Sequence, residues 1–344
     1  MITKFLAVML AIACCIENAY SDSIFGAGAT FPNSVYQAWG KAYQSQTNQV
    51  LVYTPVGSGK GLAAIYAAKT DFGASDKPLK IDELEKAQLI QFPMVIGGVV
   101  PVVNLKGIAS GDMVLNGATL AAIFMGQVTR WNDPALHALN PNLKLPDAEI
   151  VVITRSDKSG TTFNFSNYLS KVSPSWRSAL GEGLHLAWPV GTGAEGTKGV
   201  AKKLTETANA ISYMDLADAQ ARNLSTVNMF NRSGSVVSPN AASFAAAASA
   251  AKWSAATGYY EILTDEPGAE SWPITAASFI LLERIQLIPE RAAEVIRFFD
   301  WAYRDGDALA HSLHYVPLPD SVAESVRAAW RNGVKDKNGQ AVWQ

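Results

Sequence analysis

The sequence predicts an α/β protein, and three observations carry that prediction. Short β-branched or apolar runs alternate with stretches of helical periodicity along most of the chain. At three places the link between the two is a turn built from glycines and hydroxyl residues. The chain has 344 residues, 49% of them hydrophobic and 17% charged, which is enough to bury a sizeable core and favours two domains. Such alternation implies parallel sheets, with ligands bound beyond the carboxyl ends of the strands. The three turns would then aim several helix N-termini at one point.

The first residues differ in kind from the rest. Residues 1–4 (MITK) carry one lysine, residues 5–16 are almost unbroken apolar, and Ala19 and Ser21 are small residues suited to a signal peptidase. The run is too short to span a membrane and reads as a secretory leader, residues 1–21, cleaved near Ser21. Both cysteines, Cys14 and Cys15, fall inside it, so the exported chain is expected to hold no disulfide and no thiolate metal site. Residues 11–14 (AIAC) make a poor lipid-attachment box.

Residues 23–31 (SIFGAGATF) read as a short strand entering a glycine turn, after which Pro32 and Asn33 open a helix with Val35, Trp39 and Tyr43 on one face. The glycines allow a close backbone approach, and Thr30 adds a hydroxyl. A dinucleotide fingerprint is not formed, since the third glycine and the following acid are missing. Residues 50–53 (VLVY), 57–61 (GSGKG) and then Leu62, Ile65 and Tyr66 repeat the pattern. A nucleotide P-loop fails here because Thr54 and Gly61 stand where Gly and Ser/Thr are needed. Lys60 reads as a solvated lysine. Residues 70–76 (TDFGASD) form a short strand ending at Asp76, which serves either as a turn residue or as a carboxylate facing the hydroxyls.

Residues 92–103 (FPMVIGGVVPVV) read as a buried strand long enough to carry the chain from one lobe to another. Leu120, Ile123 and Phe124 mark a short helix, and residues 131–134 (WNDP) a tight turn before the next one. The third unit is the most informative. The strand 150–154 (IVVIT) runs into residues 155–163 (RSDKSGTTF), followed by a helix whose inner face is Phe165, Tyr168, Leu169 and Val172. Residues 187–199 (AWPVGTGAEGTKG) form a further glycine-rich loop before a helix over 200–205. Residues 210–213 read as a strand, 241–256 as an alanine-rich helix, 272–282 as a returning strand, and 292–303 and 322–330 as amphipathic helices.

The chemistry at these turns is that of anion binding. The first N–H groups of a helix lack intrahelical partners and sit at its positive end. Ser159, Gly160 and Thr161 occupy such a position. Arg155 offers a planar fork for a tetrahedral oxyanion, and Asp157 is placed to hold that fork in one orientation. Thr30, Phe31 and Ser58 add donors from the other two turns. Asp76 is the single candidate acceptor. Beside a fully ionised oxyanion such as sulfate it would repel, whereas phosphate keeps a proton near neutral pH and can donate to it. The net charge is −2 with no basic stripe, which argues against a nucleic-acid partner. His137, His185, His311 and His314 show no metal-ligand spacing, so neither a metal nor a cofactor is expected. A nucleophile elbow at Ser58 fails at Val56, and a binding protein accounts for the donors better than an enzyme.

Taken together, residues 26–32 (GAGATFP), 71–76 (DFGASD), 91–100 (QFPMVIGGVV), 131–134 (WNDP), 139–146 (LNPNLKLP), 155–163, 272–275 (WPIT) and 298–303 (FFDWAY) make the chain resemble the periplasmic phosphate-binding proteins of Pst-type ABC phosphate transporters. The resemblance covers essentially the whole exported chain. It implies a two-lobed type II periplasmic-binding-protein fold with the ligand cleft between lobes. Lobe one is expected at 22–104 and 273–344, and lobe two at 105–272. Thr30, Phe31, Ser58, Asp76, Arg155, Ser159, Gly160 and Thr161 match the family's phosphate-contacting positions, and Asp157 matches the acid paired with the arginine. The implied role is binding of inorganic phosphate by a monomer in the periplasm and its delivery to membrane permease subunits. The alternatives are a protein for another tetrahedral oxyanion or a secreted phosphate-ester hydrolase. One departure stands out: residues 57–61 read GSGKG where some members have a second serine and no lysine.

Overall fold

The computed structural model describes residues 23–344; the expected leader, with Cys14 and Cys15, lies outside the described residues. Along the described chain the strands are β1 (Ser23–Gly28), β2 (Val50–Pro55), β3 (Phe72–Ser75), β4 (Leu89–Asn104), β5 (Val114–Leu115), β6 (Val151–Arg155), β7 (Thr192–Ala194), β8 (Ala210–Asp215), β9 (Ser225–Thr226), β10 (Asn228–Phe230), β11 (Val236–Val237), β12 (Thr275–Glu283), β13 (Ile285–Gln286) and β14 (Lys335–Asp336). The main sheet runs β2-β1-β3-β12-β4-β8-β6-β7, with β9 also on β4. A small sheet, β11-β10-β5, and the pair β13-β14 stand apart.

β4 organises the sheet. Its apolar run is buried over all but its last residue, as expected of a strand covered on both faces. Leu89 to Gly98 pair with β12, and Val99 to Asn104 pair with β8. The sheet therefore changes partners in the middle of one strand, and the two halves share a single backbone. Gly97 marks the change: a Cβ there would lie 2.9 Å from the Phe31 ring. Only glycine leaves that ring its place beside the strand.

The expectation of parallel sheets holds for part of the molecule. β1 is parallel to β2 and β3, and β6 is parallel to β7 and β8. β12 is antiparallel to β3 and β4, and β4 is antiparallel to β8. The physical reason is that β4 leads the chain into the second half and β12 brings it back. Two such strands lying side by side run head to tail.

Helices cover both halves. Asn33–Thr47 buries Val35, Tyr36, Trp39 and Tyr43, the face its spacing predicts, and ends where Asn48 takes a left-handed φ of 63°. Its aromatic rings meet those of Pro289–Asp305, with Tyr43 5.3 Å from Phe298 edge to face. In the second half Phe165 stacks on Tyr213 at 4.1 Å. The helix Gly160–Val172 is buried from Gly160 through Ser170. Its apolar stripe alone predicted one buried face; contacts with β4, β8 and β12 and with the helix Gly117–Phe124 cover the others. The alanine-rich stretch also differs from expectation. Its helix, Ala241–Ala248, starts at an Asn240–Ser243 capping box and stops well before residue 256. Trp253 packs near Phe279 instead, and Ser254 caps a short turn at Ala255–Thr257.

Candidate functional site

β6 ends at Arg155, and the helix Gly160–Val172 begins five residues later, capped by the Ser159 side chain, which accepts from Thr162 N–H at 3.2 Å. Arg155 is buried here. Its Nε donates to Asp157 Oδ1 at 2.7 Å and its Nη2 to Asp157 Oδ2 at 2.6 Å. This parallel pair fixes the plane of the guanidinium. Burial would raise the Asp157 carboxyl, but the Arg155 hydrogen bonds and charge, helped by Gly196 N–H, hold it below the usual range. The carboxylate is thus ionised, and the arginine keeps its Nη1 edge for the interior. That edge donates to Thr30 Oγ1 at 3.1 Å.

Thr30 follows β1, and Phe31 follows Thr30 with its carbonyl accepting from Tyr315 OH at 2.5 Å. Ser58 opens the helix Ser58–Tyr66 after Gly57, whose φ of 90° makes the turn. Ser58 Oγ accepts from Asp76 N–H at 3.2 Å and from Gly160 N–H at 3.1 Å. Gly59 N–H donates to Lys158 O at 2.9 Å. The bonds from Gly160 and from Gly59 join turns from opposite halves of the sheet. The approach is close enough that a Cβ on Gly160 would lie 2.5 Å from Ser58 Oγ and 2.7 Å from Asp76 Oδ2.

Asp76 sits one residue past β3 and is 1% exposed. Asn164 Nδ2 donates to its carbonyl at 2.8 Å. Neither carboxyl oxygen has a well-formed hydrogen bond among the described residues, and Thr161 Oγ1 is likewise buried without a partner. Burial pushes the Asp76 carboxyl up to about 7, against the opposing pull of the Ser278 hydroxyl and the Arg155 charge. Buried polar atoms are nearly always paired, so unpaired ones close together, donor and acceptor, make this cluster the candidate ligand site.

Every residue singled out from the sequence lies in this cluster or directly beside it: Thr30, Phe31, Ser58, Asp76, Arg155, Asp157, Ser159, Gly160 and Thr161. One was missed. Thr197, at the start of the helix Gly196–Glu206, brings its hydroxyl to within 2.9 Å of Thr30 Oγ1. The signal was present, since glycine followed by a hydroxyl residue before a helix is the pattern of the other turns. Lys60 is 59% exposed, as a solvated lysine should be, yet it pairs with Glu195 at 2.5 Å across the same boundary.

A cavity of about 260 Å³ opens beside Thr30 and Thr197, walled by Pro55, Val56 and Asp218. Another of about 280 Å³ lies near the start of β1, between Phe25, Asp71, Leu287 and Arg291, away from the hydroxyl cluster. Two of its charges pair with each other, Arg291 with Asp71 at 2.9 Å. Among the described residues no His, Cys, Asp or Glu group is arranged to hold a metal ion, and no helix is long and apolar enough to cross a membrane.

A family model described as a PBP superfamily domain matches residues 16–305. A phosphate-binding protein PstS of Pasteurella multocida is 46% identical over 324 residues, 94% of this chain and 94% of that protein. One from Haemophilus influenzae is 47% identical over 317 residues, 92% of this chain and 95% of that protein. Among solved structures, a phosphate-binding protein from Stenotrophomonas maltophilia superposes with a TM-score of 0.71 at 18% identity, covering 93% of this chain and 98% of that one. At that identity the likeness speaks for the fold.

Proposed function

The chain belongs to the PBP superfamily and, within it, to the phosphate-binding proteins named PstS, and from that premise we propose that it binds inorganic phosphate in the cluster around Arg155. Asp76 carries this reading. It is a buried, unpartnered acceptor in a site otherwise made of donors, with its carboxyl raised to about 7. A tetrahedral anion bearing a proton satisfies both kinds of group. A fully ionised one leaves the carboxylate facing negative charge with nothing to accept.

The contacts on this reading are the hydroxyls of Thr30, Ser58, Ser159 and Thr161, the backbone N–H groups of Phe31 and Thr161, the Nη edge of Arg155, and the carboxyl of Asp76, with Gly160 at the helix start beside them, its N–H given to Ser58 Oγ at 3.1 Å. Asp157 orients the arginine. The lobes are 22–104 with 273–344, and 105–272. The partner change between Gly98 and Val99 on β4 and the start of β12 at Thr275 support that division. Bonds from Gly160 N–H to Ser58 Oγ and from Gly59 N–H to Lys158 O then hold the lobes closed over the ligand. The protein works in the periplasm as a monomer after removal of its leader and hands phosphate to the permease subunits of an ABC importer. It acts by binding and does not hydrolyse phosphate esters.

The test is calorimetry on phosphate-stripped protein, without metal or nucleotide. A single-site isotherm with phosphate and a much weaker response to sulfate are expected. No heat and no thermal shift with phosphate would overturn the reading. Turnover of a phosphate ester at a rate sensitive to Ser58 or Ser159 would favour the hydrolase alternative.

A further inference from the structure

A hydroxyl carries one proton and two lone pairs, and in water it donates or accepts as its neighbours dictate. The Thr30 hydroxyl has lost that freedom. Arg155 Nη1 donates to its oxygen at 3.1 Å, and Thr197 Oγ1 donates to the same oxygen at 2.9 Å. Both lone pairs are occupied, so the one proton of Thr30 must be given to something else. Ser58 shows the same arrangement: its oxygen accepts from the N–H of Asp76 and from the N–H of Gly160. In each case a donor arrives from the opposite half of the sheet. Arg155 and Thr197 reach Thr30 from the β6 side, and Gly160 reaches Ser58 from the same side.

We propose that Thr197 is a positioning residue of the anion site, which turns the Thr30 hydroxyl into an obligate donor when the two halves meet. The inference rests on the phosphate reading above. Thr197 is suited to the task. It is 2% exposed, so water does not compete for its hydroxyl. Its place is fixed through the residue before it, because Gly196, with φ of 65°, donates its N–H to Asp157 Oδ1 at 3.0 Å. Asp157 also binds Arg155, so the carboxylate that orients the guanidinium also sets the start of the helix Gly196–Glu206. Arg155 and Thr197 are thereby presented to Thr30 as one unit. Closure then has a chemical consequence besides enclosure. Hydroxyls that were ambiguous in the open cleft become committed donors, and the closed cleft favours anions over neutral polyols, which need acceptors as well.

Thr197→Val keeps the shape, removes the hydroxyl and leaves one Thr30 lone pair open. Loss of one net hydrogen bond corresponds to phosphate binding weaker by about five- to tenfold. The change should fall mainly on the dissociation rate, because the contact exists only in the closed form. Thr197→Ser should restore the wild-type constant to within a factor of about two. In a Thr30→Val background, Thr197→Val should add nothing, since the oxygen it addresses is gone. The melting temperature of the unliganded protein should not change. Wild-type affinity in Thr197→Val overturns the proposal. So does a double variant in which the two losses multiply, or failure of Thr197→Ser to rescue. Failure of the wild-type protein to bind phosphate would instead overturn the phosphate reading itself.

Discussion

Asp76→Asn separates the two things a carboxyl does in this site. The asparagine side chain has nearly the same shape, carries no charge and adds two donors. The size of the effect follows from burial. Asp76 is 1% exposed, and its carboxyl is lifted from 3.8 to about 7, chiefly by loss of water. At about 1.4 kcal/mol per pH unit, ionising it in the folded protein costs roughly 4 kcal/mol more than in solvent. A protonated phosphate offsets part of this by donating to the carboxylate. Such a charge-assisted bond contributes about 1.5–3 kcal/mol. Sulfate has no proton and meets only the repulsion. The mutation removes the bond for phosphate and the repulsion for sulfate, so the ratio of sulfate to phosphate affinity should rise by about tenfold or more. Phosphate should still bind through the unaltered donors. The assay is titration calorimetry of both anions with wild type and variant at one pH and one ionic strength. A ratio that does not move refutes the proton-reading role and leaves Asp76 a turn residue. The same carboxyl gives an independent stability signal. Its folded value lies above its unfolded value, so its contribution is complete below about pH 4 and is lost as pH rises toward about 7. The unliganded wild type should therefore lose stability across that window, and Asp76→Asn should flatten that part of the profile in denaturant titrations.

Two further perturbations probe the rest of the cluster. Arg155→Lys keeps the charge but gives up the parallel pair with Asp157 and the Nη1 contact to Thr30. Phosphate binding should weaken by about 1–3 kcal/mol, and an unchanged dissociation constant would place Arg155 outside the ligand's reach. Gly160→Ala puts a Cβ 2.5 Å from Ser58 Oγ and so obstructs the meeting of the two halves. Binding should fall by at least about tenfold, while the unliganded protein melts as before because alanine is the better helix former; wild-type affinity would show that the halves need not approach this closely.

The sequence by itself determined the parts of this protein that are local. Strand, glycine turn and helix follow one another within a few residues, so Arg155, Ser159 and Gly160 were placed at a helix start by periodicity and capping chemistry alone. The Arg155–Asp157 pair was legible for the same reason, its partners being two residues apart. The burial of β4 was legible from its composition. The direction of its neighbours was not, because strand order is a choice among segments far apart in the chain. Tertiary structure alone decided that Ser58 accepts from Gly160, 102 residues away, and that Thr197 reaches Thr30 across 167 residues. It also decided the charge of Asp76. A carboxyl's affinity for its proton depends on how completely other segments exclude water from it. Here the excluding surface is assembled from β3, the turn at Ser58 and the helix Gly160–Val172 once they have packed together.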